Sequence, residues 1–327
     1  SKKMIDTIRD CLSREKQVIV FQNRRGYAPR LQCDTCGYHQ NCIKCDISLT
    51  YHKYKEQMIC HYCGHKEKPA TKCPNGHDHQ VRIKGFGTEK IEEDIQLIFP
   101  SARIGRMDLS SSRTKKAHER IIKQVENREI DILVGTQMVS KGLDFDNLEL
   151  VCVVNADQMI QFPDFRAGER AYQLLTQVAG RAGRKEKKGK VLIQTFNPDH
   201  PVLQDVIRGN YTLMFNRESE ERKLFRYPPF TKILKLQIKH KDVYIVEKAA
   251  NYLKKILVSN FESGVLGPSI PPIGRVNNLY IREFLIKRNT AGTELQREKD
   301  FLKNAIDWLK KQDGCASVRA ILDADIY

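Results

Sequence analysis

The sequence predicts an α/β domain with a parallel sheet, interrupted by a zinc-binding insertion and followed by a smaller α+β domain. Apolar strands alternate with amphipathic helices on both sides of the insertion, which is typical of a parallel sheet covered on both faces. Seven of the ten cysteines fall between residues 33 and 73 in spacings that suit metal ligands. We expect residues 1–28 and 80–198 to form the α/β domain, 29–79 the zinc insertion, 199–226 a helical linker and 227–327 the α+β domain.

The elements of the α/β domain follow from hydrophobic patterning. Short apolar runs such as Val18-Ile19-Val20-Phe21 indicate buried strands, and apolar residues at helical spacing indicate the helices between them. Strands are predicted at 18–21, 81–84, 102–106, 132–134, 150–154 and 191–194, and helices at 3–15, 88–98, 114–127 and 168–182. Cys11, Cys152 and Cys315 lie outside the cysteine-rich segment and are expected to be buried or incidental thiols.

The last hundred residues form a separate pattern. The segment Tyr227-Pro228-Pro229-Phe230 breaks the preceding helical stretch, because proline cannot continue a helix. Strands are predicted at 233–239, 279–286 and 318–322, and helices at 242–258 and 294–312. We expect an α+β domain with basic residues on exposed strand faces, namely Lys235, Lys239, Arg282, Lys287 and Arg288.

The cysteine clusters predict two structural zinc sites. The half-sites are Cys33-x-x-Cys36, Cys42-x-x-Cys45, Cys60-x-x-Cys63, and Cys73 followed by His77. Each such turn brings two ligands to one tetrahedral ion, and four half-sites make two closed sites without an open position for chemistry. A disulfide framework is the weaker alternative, since we expect a reducing cytoplasmic location. A redox pair needs only one such motif at a helix start.

The pairing of the half-sites follows from a predicted hairpin at residues 49–59. Folding this hairpin brings Cys42 and Cys45 onto Cys60 and Cys63 as a four-cysteine site. The outer half-sites, Cys33 with Cys36 and Cys73 with His77, then close the second site. The eighth ligand stays open at this stage, because His79 lies two residues beyond His77 and because His39, His61 and His65 are nearby.

The net charge and the hydropathy of the chain indicate which classes of partner it could bind. The formal net charge is +16, spread along the chain, which favours a polyanionic partner such as nucleic acid over a merely basic protein. No uninterrupted apolar run reaches the roughly 18 residues of a membrane span. We therefore expect no membrane partner.

Two segments near predicted strand ends suggest phosphate chemistry, because open α/β sheets bind ligands outside the carboxyl ends of their strands. One covers residues 135–145, directly after a strand. The other is Gln177-Val178-Ala179-Gly180-Arg181-Ala182-Gly183-Arg184. Arginine suits a bidentate clamp on a transferring phosphoryl group, whereas a solvated basic helix face is the alternative interpretation.

These motifs resemble motifs V and VI of superfamily 2 helicases. More narrowly, the FxNRRGYAP segment, the four zinc half-sites, the run FPDFRAGERAYQLLTQVAGRAGR and the later YPPF resemble the primosomal protein N′ (PriA) family of replication-restart helicases. The resemblance covers essentially the whole chain. It implies a second RecA-like lobe carrying a nested two-zinc insert, then a C-terminal domain that contacts DNA and single-stranded DNA-binding protein.

The resemblance also implies roles for individual residues. Arg184 is similar in position to an arginine finger, with Arg181 as its companion and Gln177 as the entry glutamine of the motif. The motif V residues near nucleotide and DNA would be Thr136, Gly142 and Asp144. Family members usually carry a cysteine where this chain has Gly76, so His77 is the expected substitute ligand, with His79 as the alternative.

The function expected from this resemblance is that of part of an ATP-dependent 3′-to-5′ DNA helicase. It would recognise stalled or branched forks and start primosome assembly for replication restart. The sequence contains no GxxxxGK[ST] or DExH motif, so ATP and Mg²⁺ are expected only together with the missing first lobe, and the chain alone should be inactive. The alternative function is a non-catalytic, zinc-stabilised DNA-binding and assembly platform. Expected partners are single-stranded and forked DNA, single-stranded DNA-binding protein and helicase-loading primosome proteins, with the chain itself a monomer.

Overall fold

The computed structural model describes residues 1–22, 30–52, 55–77, 81–84, 88–108, 114–136, 145–182, 189–261, 264–288 and 292–324. The helices are α1 (Lys2–Ser13), α2 (Thr88–Ile98), α3 (Lys115–Glu126), α4 (Asp157–Ile160), α5 (Ala167–Ala179), α6 (Pro201–Arg208), α7 (Tyr211–Leu224), α8 (Val243–Asn260) and α9 (Gly292–Lys310). The strands are β1 (Gln17–Phe21), β2 (Arg30–Gln32), β3 (Thr50–His52), β4 (Gln57–Ile59), β5 (Lys66–Glu67), β6 (Arg82–Lys84), β7 (Ile104–Met107), β8 (Ile132–Gly135), β9 (Leu148–Val153), β10 (Lys190–Ile193), β11 (Lys232–His240), β12 (Val265–Ser269), β13 (Arg275–Val276), β14 (Leu279–Arg288) and β15 (Arg319–Ala324).

The chain divides into two compact units. The first contains Ser1–Pro29 and Gly85–Ser219, and the second contains Arg30–Lys84 and Glu220–Tyr327. The zinc insertion thus belongs to the same unit as the C-terminal domain, and the division of the helical linker falls inside α7. The four-part division expected from the sequence remains a prediction.

The first unit is built on a five-stranded parallel sheet in the order β10-β9-β1-β8-β7. Its central strand β1 is buried on both faces. Val18 and Val20 pack with α1 and α2, whereas Ile19 and Phe21 pack with α3, α5 and α6. Each buried aliphatic side chain contributes about 1.5–3 kcal/mol. The predicted parallel sheet with helices on both faces is confirmed.

One predicted strand of this sheet was placed wrongly. Residues 82–84 form β6, which pairs in antiparallel register with β2 and has no strand of the parallel sheet as a partner in the described ranges. Arg30 lies opposite Lys84, and Gln32 lies opposite Arg82. The two strands join the start and the end of the insertion, so alternation at 81–84 reflects a stem and not a core strand.

Local signals set the ends of the helices. Thr114 caps α3, because its hydroxyl accepts a hydrogen bond from the Ala117 backbone N–H at 3.2 Å. The helix predicted at 168–182 ends at Ala179, with Arg181 in the turn that follows. The linker predicted at 199–226 forms two helices, α6 and α7. Gly209 separates them with φ of 63°, a left-handed conformation that glycine adopts at little cost.

The zinc insertion is held by a small core of its own. The predicted hairpin is present as β3 and β4, and β5 extends it to a three-stranded antiparallel sheet. Leu31, Leu49, Met58 and Val81 are buried with five of the cysteine side chains. An apolar core of this size is small, so the metal clusters must contribute much of the stability of the module.

The C-terminal domain is an antiparallel sheet with two helices on one face. The strand order is β12-β14-β11-β15, with β13 paired to β14. Leu234, Leu236 and Ile238 of β11 alternate toward α8 and α9, together with Phe284 and Ile286 of β14. The α+β architecture expected from the sequence is confirmed.

The basic sheet surface is smaller than expected. Arg282 and Lys287 are only 7% and 9% exposed. Arg282 lies on the helix-covered face, where it pairs with Glu247 of α8, and Arg288 pairs with Glu298 of α9 at 2.7 Å. Arg282 and Arg288 therefore hold α8 and α9 against the sheet. Strand alternation placed them outside because it does not show which charges find a buried partner.

Two further expectations concern burial. Cys11, Cys152 and Cys315 are buried thiols, each at most 1% exposed. Burial raises the pKa of Cys11 to about 11 and that of Cys152 to about 12, which makes both inert as nucleophiles.

Over the part of the chain that the structure describes, no helix has the length and apolar character needed to cross a bilayer.

Candidate metal centres and the edge of the parallel sheet

The first candidate metal centre combines Cys33, Cys36, Cys73 and His77, whose ligand atoms all lie within 4.8 Å of one another. The Sγ atoms of Cys36 and Cys73 are 3.5 Å apart, and His77 Nδ1 lies 3.9 Å from Cys33 Sγ and 3.6 Å from Cys73 Sγ. The loops between β2 and β3 and before β6 supply these ligands. His79 lies outside the described residues, so the choice between the two histidines stays a prediction.

The backbone turns of this centre depend on glycine. Gly37 has φ of 71° and donates its backbone N–H to the Cys33 carbonyl at 3.0 Å. Gly76 has φ of 78° and donates to the Cys73 carbonyl at 3.2 Å. A side chain at either position would be strained, because only glycine adopts this region readily. The turn places His77, one position after Gly76, beside the three cysteines.

The second candidate centre combines Cys42, Cys45, Cys60 and Cys63, also within 4.8 Å of one another. The β3–β4 hairpin places the first pair opposite the second, and Cys42 Sγ lies 3.6 Å from Cys63 Sγ. Gly64, with φ of 72°, closes the turn by donating to the Cys60 carbonyl at 2.9 Å. The predicted pairing of half-sites is the one that the fold brings together.

Both sets fit a tetrahedral zinc ion. With zinc–sulfur bonds of about 2.3 Å, a tetrahedron has sulfur–sulfur edges of about 3.8 Å, close to the separations found here. Each set has four protein ligands, which leaves no position open for a substrate. The two clusters and the zinc-ribbon character of this region support two Zn²⁺ ions per chain, with structural roles.

The sulfur environments also favour a bound cation. The backbone N–H of Tyr38, followed by the Asn75 side-chain amide, lowers the pKa of Cys36 to about 7. Burial has the opposite effect at Cys45 and raises its pKa to about 12. Thiolates are the ligand form, so a buried four-cysteine set is costly to ionise unless a cation lies among the sulfurs.

The second region of interest is the carboxyl edge of the parallel sheet, where ligands of open α/β sheets bind. Thr136 follows β8, is buried, and donates its backbone N–H to the Met107 carbonyl at 3.3 Å. Gln177 is exposed on α5, and Arg181 is half-buried in the turn after it. Gly142, Asp144 and Arg184 lie outside the described residues, so their positions stay predictions.

Sequence reasoning missed a charged cluster at the carboxyl end of β7. Arg106 lies 2.9 Å from Glu89, 3.4 Å from Glu92 and 3.5 Å from Asp108, and its side chain is only 11% exposed. Burial, then repulsion from Asp108, raises the pKa of Glu92. Glu92 lies on the predicted helix α2, and its carboxylate faces Arg106. The available signal was Asp108, a carboxylate directly after a strand.

A further carboxylate at the same edge supports structure. Asp157 is 8% exposed and accepts hydrogen bonds from the Thr195 hydroxyl at 2.7 Å and the Phe196 backbone N–H at 3.0 Å. These bonds tie the segment after β9 to the segment after β10. Next to it, the Gln22 side-chain amide donates to Gln158 at 3.4 Å. Polar side chains therefore follow β1, β7, β8 and β9.

Comparison with known proteins identifies three segments along the chain. The profile of the helicase conserved C-terminal domain matches residues 72–186. The profile of the PriA DNA helicase Cys-rich region domain matches residues 42–68, and that of the primosomal protein N C-terminal domain matches residues 223–323.

Curated relatives extend the match over the whole chain. Replication restart protein PriA of Bacillus subtilis (strain 168) is 39% identical over 331 residues, which cover 100% of this chain and 40% of the relative. The same protein of Treponema pallidum (strain Nichols) is 36% identical and covers 92% of this chain and 46% of the relative. That of Synechocystis sp. is 37% identical over 88% of this chain and 35% of the relative. A solved structure, the Hef helicase domain of Pyrococcus furiosus, aligns over 64% of this chain and 28% of its own with a TM-score of 0.30 and 16% identity.

The helicase profile indicates the class of protein, and the other profiles together with the relatives indicate the family. Residues 72–186 match the helicase conserved C-terminal domain. With the two PriA-specific profiles on either side and relatives that match along its length, the chain belongs to the replication restart protein PriA family and corresponds to the C-terminal part of its members. It spans less than half the length of these relatives.

Proposed function

We propose that this chain is the C-terminal half of an ATP-dependent 3′-to-5′ DNA helicase that recognises stalled or branched forks and starts primosome assembly. The observation that supports this most directly is the presence of PriA-specific profiles at residues 42–68 and 223–323 around a helicase C-terminal profile. A helicase motif alone would allow many substrates. The flanking zinc and C-terminal modules favour replication restart.

The proposed nucleotide contacts lie at the carboxyl edge of the parallel sheet. Arg184 would act as the arginine finger, with Arg181 and Gln177 beside it in the same motif. Thr136, Gly142 and Asp144 would connect nucleotide and DNA binding. The phosphate-binding loop and the metal-binding carboxylates belong to the first lobe, so the chain by itself should bind DNA without hydrolysing ATP.

The zinc centres have a structural role in this proposal. Cys33, Cys36, Cys73 and His77 would hold one ion, and Cys42, Cys45, Cys60 and Cys63 the other. Closed four-ligand sites stabilise a fold and do not activate water. The module then presents a rigid surface in a unit that also contains the C-terminal domain.

The proposed partners follow from charge and family. A net charge of +16 suits single-stranded and forked DNA, and the family suggests single-stranded DNA-binding protein and helicase-loading primosome proteins. A cytoplasmic monomer is consistent with this role. A non-catalytic DNA-binding and assembly platform describes the same chain when the first lobe is missing.

The test compares ATP hydrolysis by this chain and by the full-length protein, each with forked DNA. We expect no turnover by the chain alone, and DNA-stimulated turnover by the full-length protein. Arg184→Ala and Arg181→Ala should reduce that turnover, by about 10³-fold or more for the finger, while fork binding and zinc content stay unchanged. Arg208→Ala, at the exposed end of α6, is the matched control. Turnover by the isolated chain, or full activity of Arg184→Ala, would contradict the proposal.

A further inference from the structure

Two segments more than two hundred residues apart meet beside the four-cysteine centre, within one compact unit. The Asp46 backbone N–H donates to the Arg275 carbonyl at 2.9 Å, and the Asn278 backbone N–H donates to the Lys44 carbonyl at 2.8 Å. Arg275 Nε also lies 3.1 Å from Asp46 Oδ1. The zinc knuckle at 44–46 is thus joined to the C-terminal domain by main-chain bonds and an ion pair.

The same contact reaches a proposed zinc ligand directly. The Asn277 backbone N–H donates to Cys45 Sγ at 3.2 Å. Val276, next to it, packs against the apolar core of the zinc module. The C-terminal domain therefore supplies a hydrogen-bond donor to a sulfur of the metal centre.

This donor differs in origin from the one at Cys42 of the same centre. Cys42 Sγ accepts a hydrogen bond from the backbone N–H of Lys44, two positions later in its own turn, at 3.4 Å. At Cys45 the equivalent N–H belongs to Ile47, which donates to the Cys45 carbonyl at 2.8 Å instead. The donor to Cys45 Sγ is instead the backbone N–H of Asn277.

The turn between β13 and β14 is shaped for this contact. Val276 pairs with Leu279, so Asn277 and Asn278 form a two-residue hairpin loop. Both have positive φ, 51° and 60°, which is the backbone of a type I′ turn and a conformation that asparagine tolerates. The N–H groups of such loop residues are not used by the strand ladder. Both donate here to the zinc knuckle.

We propose that the Asn277–Asn278 turn completes the outer coordination sphere of the four-cysteine zinc centre. Docking of the turn raises the zinc affinity of that centre and slows zinc release, and zinc loading strengthens the docking by the same factor as the gain in affinity. Hydrogen bonds to ligand sulfurs reduce their charge and fix their orientation, and loss of such partners typically costs about 10–100-fold in metal affinity. The proposal rests on the proposed ligand set of this centre.

The first experiment detects the hydrogen bond itself. The full chain is loaded with ¹¹³Cd in place of zinc, and correlations between amide protons and cadmium through N–H···S bonds are recorded by NMR. The Asn277 amide should correlate with the cadmium of the four-cysteine centre and not with the other cadmium. The Lys44 amide, 3.4 Å from Cys42 Sγ, is the internal reference. A correlation for Lys44 without one for Asn277 overturns the proposal, and absence of cadmium from this centre overturns the ligand set as well.

The second experiment measures zinc release to a chelator. Arg275→Glu places two carboxylates against each other and should accelerate release from the four-cysteine centre about tenfold. The charge swap Asp46→Lys with Arg275→Glu should return the rate toward the wild-type value. Arg297→Glu, an exposed charge reversal on α9, should leave it unchanged.

The centre with three cysteines and His77 serves as the reference within each variant, since among the described residues its ligands form their side-chain hydrogen bonds with one another and with Asn75, and not with the turn. Its release rate should not change. Equal acceleration at both centres, or a swap that fails to restore the rate, would show that Arg275→Glu loosens the fold generally, and the proposal would be overturned. An unchanged rate in Arg275→Glu would overturn it too.

Discussion

The ammonium group of Lys287 lies 3.7 Å from the centre of the Tyr227 ring and donates a hydrogen bond to the Phe225 carbonyl at 2.7 Å. Lys287 is a buried residue of β14, whereas Tyr227 and Phe225 belong to the segment that enters the C-terminal domain. The YPPF segment thus breaks the helix and also covers a charge on the sheet. Burial, then repulsion from Arg226, lowers the pKa of Lys287, so the two contacts do not fully replace the lost hydration.

Lys287→Met should destabilise the C-terminal domain by about 1–3 kcal/mol, because it removes a charged hydrogen bond and a cation–π contact while relieving part of the desolvation cost. The measurement is urea unfolding followed by fluorescence of Trp308, the single tryptophan, which lies in this domain. Lys235→Met is the matched control on the same sheet face. Its ion pair with Glu283 at 3.1 Å leaves the Lys235 side chain 25% exposed and thus partly hydrated, so it should contribute about 1 kcal/mol or less. Equal stability of the Lys287 and Lys235 variants would contradict this account.

Gly105 of β7 lies against Ile130, so a side chain at position 105 would clash with Ile130. A Cβ atom at Gly105 would lie 2.5 Å from Ile130 Cδ1 and 3.2 Å from both Cγ atoms. Gly105→Ala should therefore cost about 1–3 kcal/mol through overpacking. Adding Ile130→Val removes the nearest carbon and should recover part of that loss, although Ile130→Val alone costs about 0.5–1.5 kcal/mol. Strictly additive effects in this cycle, measured by thermal unfolding, would show that the residues do not conflict.

Features that depend on residues close together in the sequence were predictable, whereas features that depend on contacts between distant residues were not. The cysteine pairing was predictable because each knuckle and the β3–β4 hairpin are local structures whose spacing and glycines are visible in the chain. The helices and strands of the parallel sheet were predictable for the same reason. β6 was not, since its alternation does not reveal that its partner is β2. The bond from Asn277 to Cys45 was beyond reach, because it joins residues 232 positions apart.

Charged residues were the least predictable part of the candidate sites. Arg282 and Arg106 each occupy a strand position that could face solvent. Each pairs instead with a carboxylate from a helix, and their side chains are only 8% and 11% exposed. Only the packed structure decides whether such a charge finds a partner. The same limit applies to Glu92, because the prediction of its helix does not reveal that its carboxylate faces Arg106.

The ion pair between Asp131 and Arg103 should make the stability of the first unit depend on pH. Arg103 donates to Asp131 Oδ1 from Nη2 at 2.6 Å and to Oδ2 from Nε at 3.0 Å, and these side-chain bonds, followed by the Arg103 backbone N–H, lower the pKa of Asp131. A depressed carboxyl pKa contributes stability above the unfolded value, and that contribution is lost as the pH falls through the folded value. Because Arg103 is 58% exposed, Asp131→Asn should cost only about 1 kcal/mol or less at neutral pH.

The stability gap between the wild type and Asp131→Asn should then close as the pH falls below the ordinary aspartate value of 3.8. Deuterium uptake by peptides covering β8 reports on this unit without interference from metal loss in the other. Asp94→Asn, which removes an exposed pair with Lys90 on α2, is the control and should have a smaller effect. A gap that persists unchanged in acid would exclude the ion pair as its cause.

The histidine assignment predicts the zinc stoichiometry of single variants. His77→Ala should lower the zinc content from two ions to one per chain after dialysis against a weak chelator, because three cysteines remain at its centre. His79→Ala should retain both ions. Elemental analysis of each purified variant decides between them, and retention of the C-terminal fold is checked by Trp308 fluorescence. Loss of zinc in His79→Ala with retention in His77→Ala would reverse the assignment.

The open face of the C-terminal sheet predicts part of the salt dependence of DNA binding. Lys239 and Arg319 lie opposite each other on β11 and β15, on the face away from α8 and α9, and Arg319 is exposed. If both neutralise phosphates of single-stranded or forked DNA, each contributes about −0.7 to −0.9 to the slope of log affinity against log salt. Lys239→Ala with Arg319→Ala should therefore make the slope shallower by about 1.5. Lys254→Ala with Lys255→Ala, on the outer face of α8, removes the same charge and should lower the affinity only slightly. A slope that changes equally in both pairs would mean that net charge governs binding, and not this face of the sheet.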